Sequence, residues 1–145
     1  MNALEQARTL LEGQVLAWTE PETDRLDAEV SPENLLAAVT ALANPTWGYL
    51  VAITGLDGGA EAGTMQVLYH FCSGPHVLTL RVTLPRNRPM ISSVCGVIPY
   101  GSVFERELAE MFGIDVRHAP DASRLFLPDD WPEAVYPLRK DTRLD

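Results

Sequence analysis

The sequence predicts an α+β domain: a mainly antiparallel sheet with packed helices and a proline-rich C-terminal extended segment. Three observations carry this. Runs rich in β-branched and aromatic residues, Tyr49 to Thr54, Met65 to Cys72 and Val77 to Leu84, follow one another with Gly-rich or Gly-Pro turns between them, as consecutive antiparallel strands do. Segments with apolar residues at helical spacing flank these runs. Beyond Gly113 the chain changes character: Pro120, Pro128, Pro132 and Pro137 stand among Leu125, Phe126, Leu127, Trp131 and Tyr136, too apolar a mixture for an idle disordered tail. Such a segment lies along a surface, its own or a partner's. With 145 residues, 46% of them hydrophobic, the chain can bury one core and not two. The expected organisation is an α+β domain over residues 1–118 followed by a docking segment over 119–145.

Taken in order, Asn2 with Glu5 three residues on marks a helix start, Leu4, Ala7 and Leu11 share a face, and Gly13 suits a left-handed stop. Gln14 to Thr19 and Arg25 to Val30 alternate apolar and polar side chains around a turn at Glu20-Pro21-Glu22-Thr23-Asp24, predicting a pair of strands. Ser31-Pro32 opens a second helix, because Ser can accept from an orphan N–H and Pro lacks a donor that would be unsatisfied there. Leu35, Val39 and Leu42 form its stripe, and Asn44-Pro45 ends it. After the three strands, Ile91 to Ile98 is read as a short helix through Val94, Val97 and Ile98, although its β-branched content also suits a strand. The clearest element is Ser102 to Phe112. Ser102 and Glu105 form a capping-box pattern, Phe104, Leu108, Met111 and Phe112 share a face, Arg106 is spaced to pair with Glu110, and Gly113 closes the helix.

Composition narrows the function. Eleven Lys and Arg against 20 Asp and Glu give a formal charge of −9, which repels a phosphate backbone, so nucleic acid is not an expected partner. Only Arg8 and Arg25 among the basic residues precede Arg81, leaving the first part strongly acidic. The longest apolar candidate, Leu35 to Ala43, falls well short of a bilayer span, so membrane association is expected only through a partner. The first residues show no basic stretch followed by an apolar one, and a cytoplasmic location is expected.

The residues that could carry chemistry form no recognisable set. His70, Cys72, His76 and Cys95 are zinc-compatible types, and a small metal-dependent enzyme centred on them is one alternative, but their spacing lacks a paired CxxC signature. Two cysteines cannot ligate a complete iron–sulfur cluster. Ser102 follows Gly101 but has Phe104 where a nucleophile elbow needs Gly. Gly55-Leu56-Asp57-Gly58-Gly59 lacks both the dinucleotide and the P-loop fingerprints and reads as a hairpin loop. Glu105 and Glu107, two apart on a helix, point in different directions and make no carboxylate dyad.

Glu105-Arg106-Glu107-Leu108-Ala109-Glu110-Met111-Phe112-Gly113-Ile114 closely resembles the ERE-x-x-D-M-F-G-I signature of the complex I 30 kDa subunit family. Leu125-Phe126-Leu127-Pro128-Asp129-Asp130-Trp131 and Pro137-Leu138-Arg139-Lys140-Asp141 resemble that family's LLPDDW and PLRKD segments, in the same order. Leu50 to Asp57, Tyr69 and Ser93-Val94 fit its looser upstream pattern. Two departures stand out: Val103 where the family commonly has an aromatic residue, and Ser123 where one of two paired arginines is usual.

The resemblance implies a cofactor-free, non-catalytic assembly subunit in the hydrophilic arm of a complex I-type oxidoreductase, an NADH dehydrogenase or a related hydrogenase. It would dock on the hydrogenase-like large subunit, of the complex I 49 kDa type, beside an iron–sulfur small subunit. Iron–sulfur clusters, and in one branch nickel–iron, would belong to those partners, and the chain would sit peripherally on the inner face of the cell membrane. The chain stops soon after the last block, as expected of the related subunits of membrane-bound energy-converting nickel–iron hydrogenases; the hydrogenase and NADH dehydrogenase branches both stay open. The expected interface comprises Glu105, Arg106, Glu107, Phe112, Gly113, Arg124, Pro128, Asp129, Trp131, Pro137, Leu138, Arg139, Lys140 and Asp141. Physically, Glu105, Arg106 and Glu107 read as a rigid charged edge, Arg139 as a fork for a carboxylate, and Phe112 and Trp131 as anchors of the core or the strap. A free-standing protein-binding module of the same fold is the other alternative.

Overall fold

The computed structural model describes residues 1–143. Helix α1 (Ala3–Leu10) starts where the sequence marks it: Asn2 Oδ1 accepts from Glu5 N at 2.8 Å, and the Glu5 carboxylate accepts from Asn2 N at 3.2 Å. Strands β1 (Ala17–Glu22) and β2 (Arg25–Glu29) pair antiparallel, β1 running later than expected and into the predicted turn, so that only Thr23 and Asp24 separate them. A 3₁₀ turn at Pro32–Asn34 leads into α2 (Leu35–Ala43). Pro32 takes the opening position, but the Ser31 side chain makes no cap bond.

Strands β3 (Tyr49–Asp57), β4 (Thr64–Ser73) and β5 (His76–Pro85) form the expected antiparallel meander. Strand β3 runs through Asp57, so the predicted Gly55–Gly59 loop begins only at Gly58. The sheet order is β1-β2-β5-β4-β3. Helix α2 carries the chain from β2 to the far edge, and the meander brings β5 back beside β2, with which it pairs parallel. Register aligns the apolar rows: Leu26 meets Leu78, Ala28 meets Leu80, Tyr69 meets Leu80 and Phe71 meets Leu78. These residues form one buried face, over which α1 and α2 pack, and Trp47 Nε1 donates to Ala3 O at 2.8 Å to tie α1 to the start of β3. The opposite face is polar and half-exposed. There Arg81 bridges Gln66 and Asp27, and His70 joins Thr79 and Thr54 across three strands.

The predicted helix at Ile91–Ile98 is corrected. Met90–Ser92 forms β6, which pairs parallel with β7 (Asp115–Arg117), and the chain then turns through Val94–Ile98 into a 3₁₀ turn at Pro99–Gly101. The β-branched content won because a partner strand exists beyond the next helix. That helix, α3 (Ser102–Phe112), packs beside β3 and ends at Gly113 with φ +73°, the left-handed stop. Ser102 is its first residue and Gly101 its cap, without a side-chain cap bond. The capping-box reading therefore fails, because Glu105 is used elsewhere. Among the described residues no helix is long and apolar enough to cross a membrane.

Candidate functional site

Helix α3 and the segment after β7 form one platform, built by three buried or half-buried acids. Helical spacing puts Glu105 on the same face as Leu108 and Phe112, and all three point into the protein. Glu105 is 2% exposed; it accepts from Ser93 Oγ at 2.6 Å, Val94 N at 2.8 Å and Cys95 Sγ at 3.0 Å. The carboxylate thus organises the turn after β6, and the charged-edge reading is corrected at this residue. The same environment disarms Cys95. Burial, and next the hydrogen bond to Glu105, push its thiol up and away from the reactive thiolate.

Arg106 and Glu110 do not pair with each other as their spacing suggested. Arg106 donates to Ser123 O at 3.1 Å and Arg124 O at 2.7 Å, while Glu110 accepts from the N–H groups of Leu125, Phe126 and Leu127 at 3.1, 2.8 and 3.1 Å. One side chain takes the segment's carbonyls and the other its donors, so residues 123–127 are held by main-chain groups whatever their side chains. Burial pulls the Glu110 carboxyl upward, but these N–H groups and the nearby Arg124 outweigh it and hold it below its ordinary range. Arg124 in turn donates to Trp131 O at 2.9 Å, and Trp131 Nε1 to Val135 O at 2.8 Å. A cavity of about 200 Å³ lies between α3 and this loop, lined by Arg106, Glu110, Arg124 and Trp131 among others.

Farther on, the segment closes the end of α3. Leu138 N donates to Met111 O at 3.0 Å and Arg139 Nε to Phe112 O at 2.7 Å, a cation on the helix's negative end. Arg139 also sits 5.0 Å from the centroid of the Tyr136 ring. Within the described chain a bidentate grip on a carboxylate is made by Arg86, which holds Asp57 through Nε at 2.7 Å and Nη2 at 2.9 Å. Asp57 further accepts from Lys140 N and Gly59 N at 2.9 Å each, and Arg86 reaches Asp141 at 2.8 Å. Those Arg86 hydrogen bonds hold the Asp57 carboxyl well below the usual carboxylate range, against the upward push of its burial. Gly113 is required twice over: its φ is left-handed, and a Cβ there would stand 2.4 Å from the Tyr136 ring.

Of the predicted interface residues, Glu105, Arg106, Phe112, Gly113, Arg124 and Arg139 are thus engaged within the chain. Trp131 and Pro137 are partly covered, whereas Pro128, Asp129, Leu138, Lys140 and Asp141 are exposed. Glu107 is half-buried beside Leu138 and Phe104, and no donor among the described residues meets its carboxylate. Sequence reasoning missed Asp57 and Arg86, which lie on different strands' ends and come together only through the sheet. His70, Cys72, His76 and Cys95 do not converge, and no group of three or more His, Cys, Asp or Glu is placed to hold a metal among the described residues.

Comparison with known proteins locates this architecture. The family model described as "Respiratory-chain NADH dehydrogenase, 30 Kd subunit" matches residues 28–145. The chain is 39% identical over 89 residues to membrane-bound hydrogenase subunit beta of Pyrococcus furiosus, covering 60% of this chain and 51% of that one. It is 34% identical over 133 residues to formate hydrogenlyase subunit 5 of Escherichia coli, covering 90% of this chain and 23% of that one. The chain therefore spans about half or less of the length of these two relatives. Among solved structures, a chain of the membrane-bound sulfane sulfur reductase, an archaeal respiratory membrane complex, shares the fold with a TM-score of 0.81 at 17% identity, covering 97% of this chain and 85% of that one. Strands β3 to β7, α3 and the C-terminal segment fall within the family match, and the chain belongs to the family of the respiratory-chain NADH dehydrogenase 30 kDa subunit.

Proposed function

We infer that this chain is an accessory subunit, without a catalytic centre of its own, in the hydrophilic arm of a complex I-type oxidoreductase. The observation that carries the reading is the family match over 28–145, which takes in the meander, α3 and the segment that Glu110, Arg106 and Asp57 bind to them. The side chains best suited to redox or acid–base work are instead spent on internal hydrogen bonds: Glu105 on the turn after β6, Cys95 on Glu105, and His70 on two threonines. What this leaves outward is a rigid platform of Pro128, Asp129, Leu138 and Lys140, with Glu107 and Trp131 at its margins. In this reading the platform docks on a hydrogenase-like large subunit, and the iron–sulfur clusters, with nickel–iron in the hydrogenase branch, reside in the partners. The chain reaches the membrane peripherally, on its inner face, through that assembly.

Deleting the gene and restoring it in trans tests the role. The expected result is loss of the intact membrane-bound oxidoreductase from native gels on deletion and its return on complementation. An intact, fully active complex in the deletion strain would refute it.

A further inference from the structure

The sheet treats its two edges differently. Outer strand β1, Ala17–Glu22, carries Glu20, Pro21 and Glu22, the charges and proline that discourage another strand from adding to an edge. Outer strand β3, Tyr49–Asp57, has nine residues and neither charge nor proline before its last, and it exposes Tyr49, Val51 and Leu56 by 63%, 43% and 44%. Its protections are local: a register shift between Leu50 and Ala52, and the Tyr100 hydroxyl, which donates to Leu50 O at 2.8 Å. Beyond them, from Ala52 to Leu56, no backbone partner on the outer side is found among the described residues.

A groove of about 300 Å³ runs beside that free stretch. Ala52, Thr54 and Gly55 form one wall, Phe104, Leu108 and Phe112 of α3 form the other, and Leu138 and Glu107 stand at the rim. Gly55 keeps the two walls close, since a Cβ there would meet the Phe112 ring at 2.6 Å. An unpaired strand beside an apolar helix groove is the geometry that recognises an extended peptide: main-chain bonds to the strand supply affinity and the groove takes alternate side chains.

We propose that this groove receives an extended, largely uncharged segment of a partner polypeptide, which adds a sixth strand to the sheet and places a basic side chain against Glu107. This rests on the reading that the chain is docked in a larger assembly. Two facts select a different polypeptide over a second copy of this chain. A net charge of −9 makes self-association through one shared face repulsive, and a single basic side chain on an otherwise uncharged segment complements the Glu107 carboxylate. In the formate hydrogenlyase relative, moreover, the matching stretch is only 23% of the protein, so a domain of this kind is there joined to a much larger polypeptide.

The test is capture of the tagged chain, with its assembly, from gently solubilised native membranes. Wild type is compared with Val51→Lys, which charges the edge, with Glu107→Arg, and with Leu36→Lys on the outer face of α2 as a control. Thermal midpoints of the purified chains confirm that each folds. The expected result is recovery of the partner about tenfold lower or less for Val51→Lys and Glu107→Arg, with the control equal to wild type. Should a variant lose its fold, a photo-crosslinking residue at Val51 in the otherwise native chain decides the matter by coupling to the partner. Full recovery with both variants, equal loss with Leu36→Lys, or crosslinks only to a second copy would overturn the groove while leaving the accessory role standing. Capture of no partner by wild type would overturn both.

Discussion

Replacing Glu105 by alanine removes the acceptor on which the turn after β6 is built. Val94 N–H is then buried without a partner, which costs about 1–3 kcal/mol. The Ser93 hydroxyl loses a 2.6 Å bond to a carboxylate, about 1–2 kcal/mol more, though it still accepts from Cys95 N at 3.1 Å. The Cys95 thiol is a weak donor and adds little. With the small void left beside Leu108, the loss is about 3–5 kcal/mol, or roughly 10–15 °C in Tm for a domain of this size. Glu105→Gln keeps one oxygen but turns an NH₂ group toward donors, and is expected to lose about 1–3 kcal/mol. Urea unfolding followed by tryptophan fluorescence, with constant m-values, measures both. A Glu105→Ala variant within about 0.5 kcal/mol of wild type, the range typical of an exposed substitution, would show that this carboxylate does not organise the turn.

Asp57 sets a pH dependence. Its carboxyl is held down in the folded chain, so the stability it contributes is complete above the ordinary aspartate pKa of about 3.9 and is lost as pH falls from there toward its folded value. Tm measured between pH 6 and 2 should therefore fall more steeply in wild type than in Asp57→Asn; parallel curves would contradict this. Gly113→Ala combines a left-handed backbone with a clash on Tyr136 and is expected to cost about 2–3 kcal/mol in chemical denaturation. Glu110→Ala frees three N–H groups of residues 125–127, and limited trypsinolysis should then cut after Arg124 faster than in wild type, with the rest of the domain equally resistant.

What the sequence displayed was local. The helix from Ser102 to Phe112 and its left-handed stop at Gly113, the capping box at Asn2 and Glu5, and the three-strand meander all follow from neighbours within a few residues, and all stand in the structure. What it hid was long-range. Strand β6 is three residues whose partner, β7, lies beyond α3, so its own pattern could not separate strand from helix. The parallel pairing of β2 with β5 spans the whole meander. Arg106 and Glu110 have the spacing of a helical ion pair, yet each found main-chain groups that return 15 or more residues later. The same limit hid the Asp57–Arg86 pair, since nothing in a Gly-rich turn announces a buried carboxylate. Glu105 was visible as part of a motif but was assigned to the surface, because a lone glutamate's burial depends on donors contributed by another turn.

In the proposed role, this platform belongs to a larger redox assembly. Its most direct test is affinity purification of the tagged chain from gently solubilised native membranes, followed by mass spectrometry and visible spectroscopy of the recovered material. The expected fraction contains a hydrogenase-like large subunit, integral membrane proteins and iron–sulfur absorbance. Recovery of the chain alone, without redox partners, would contradict it.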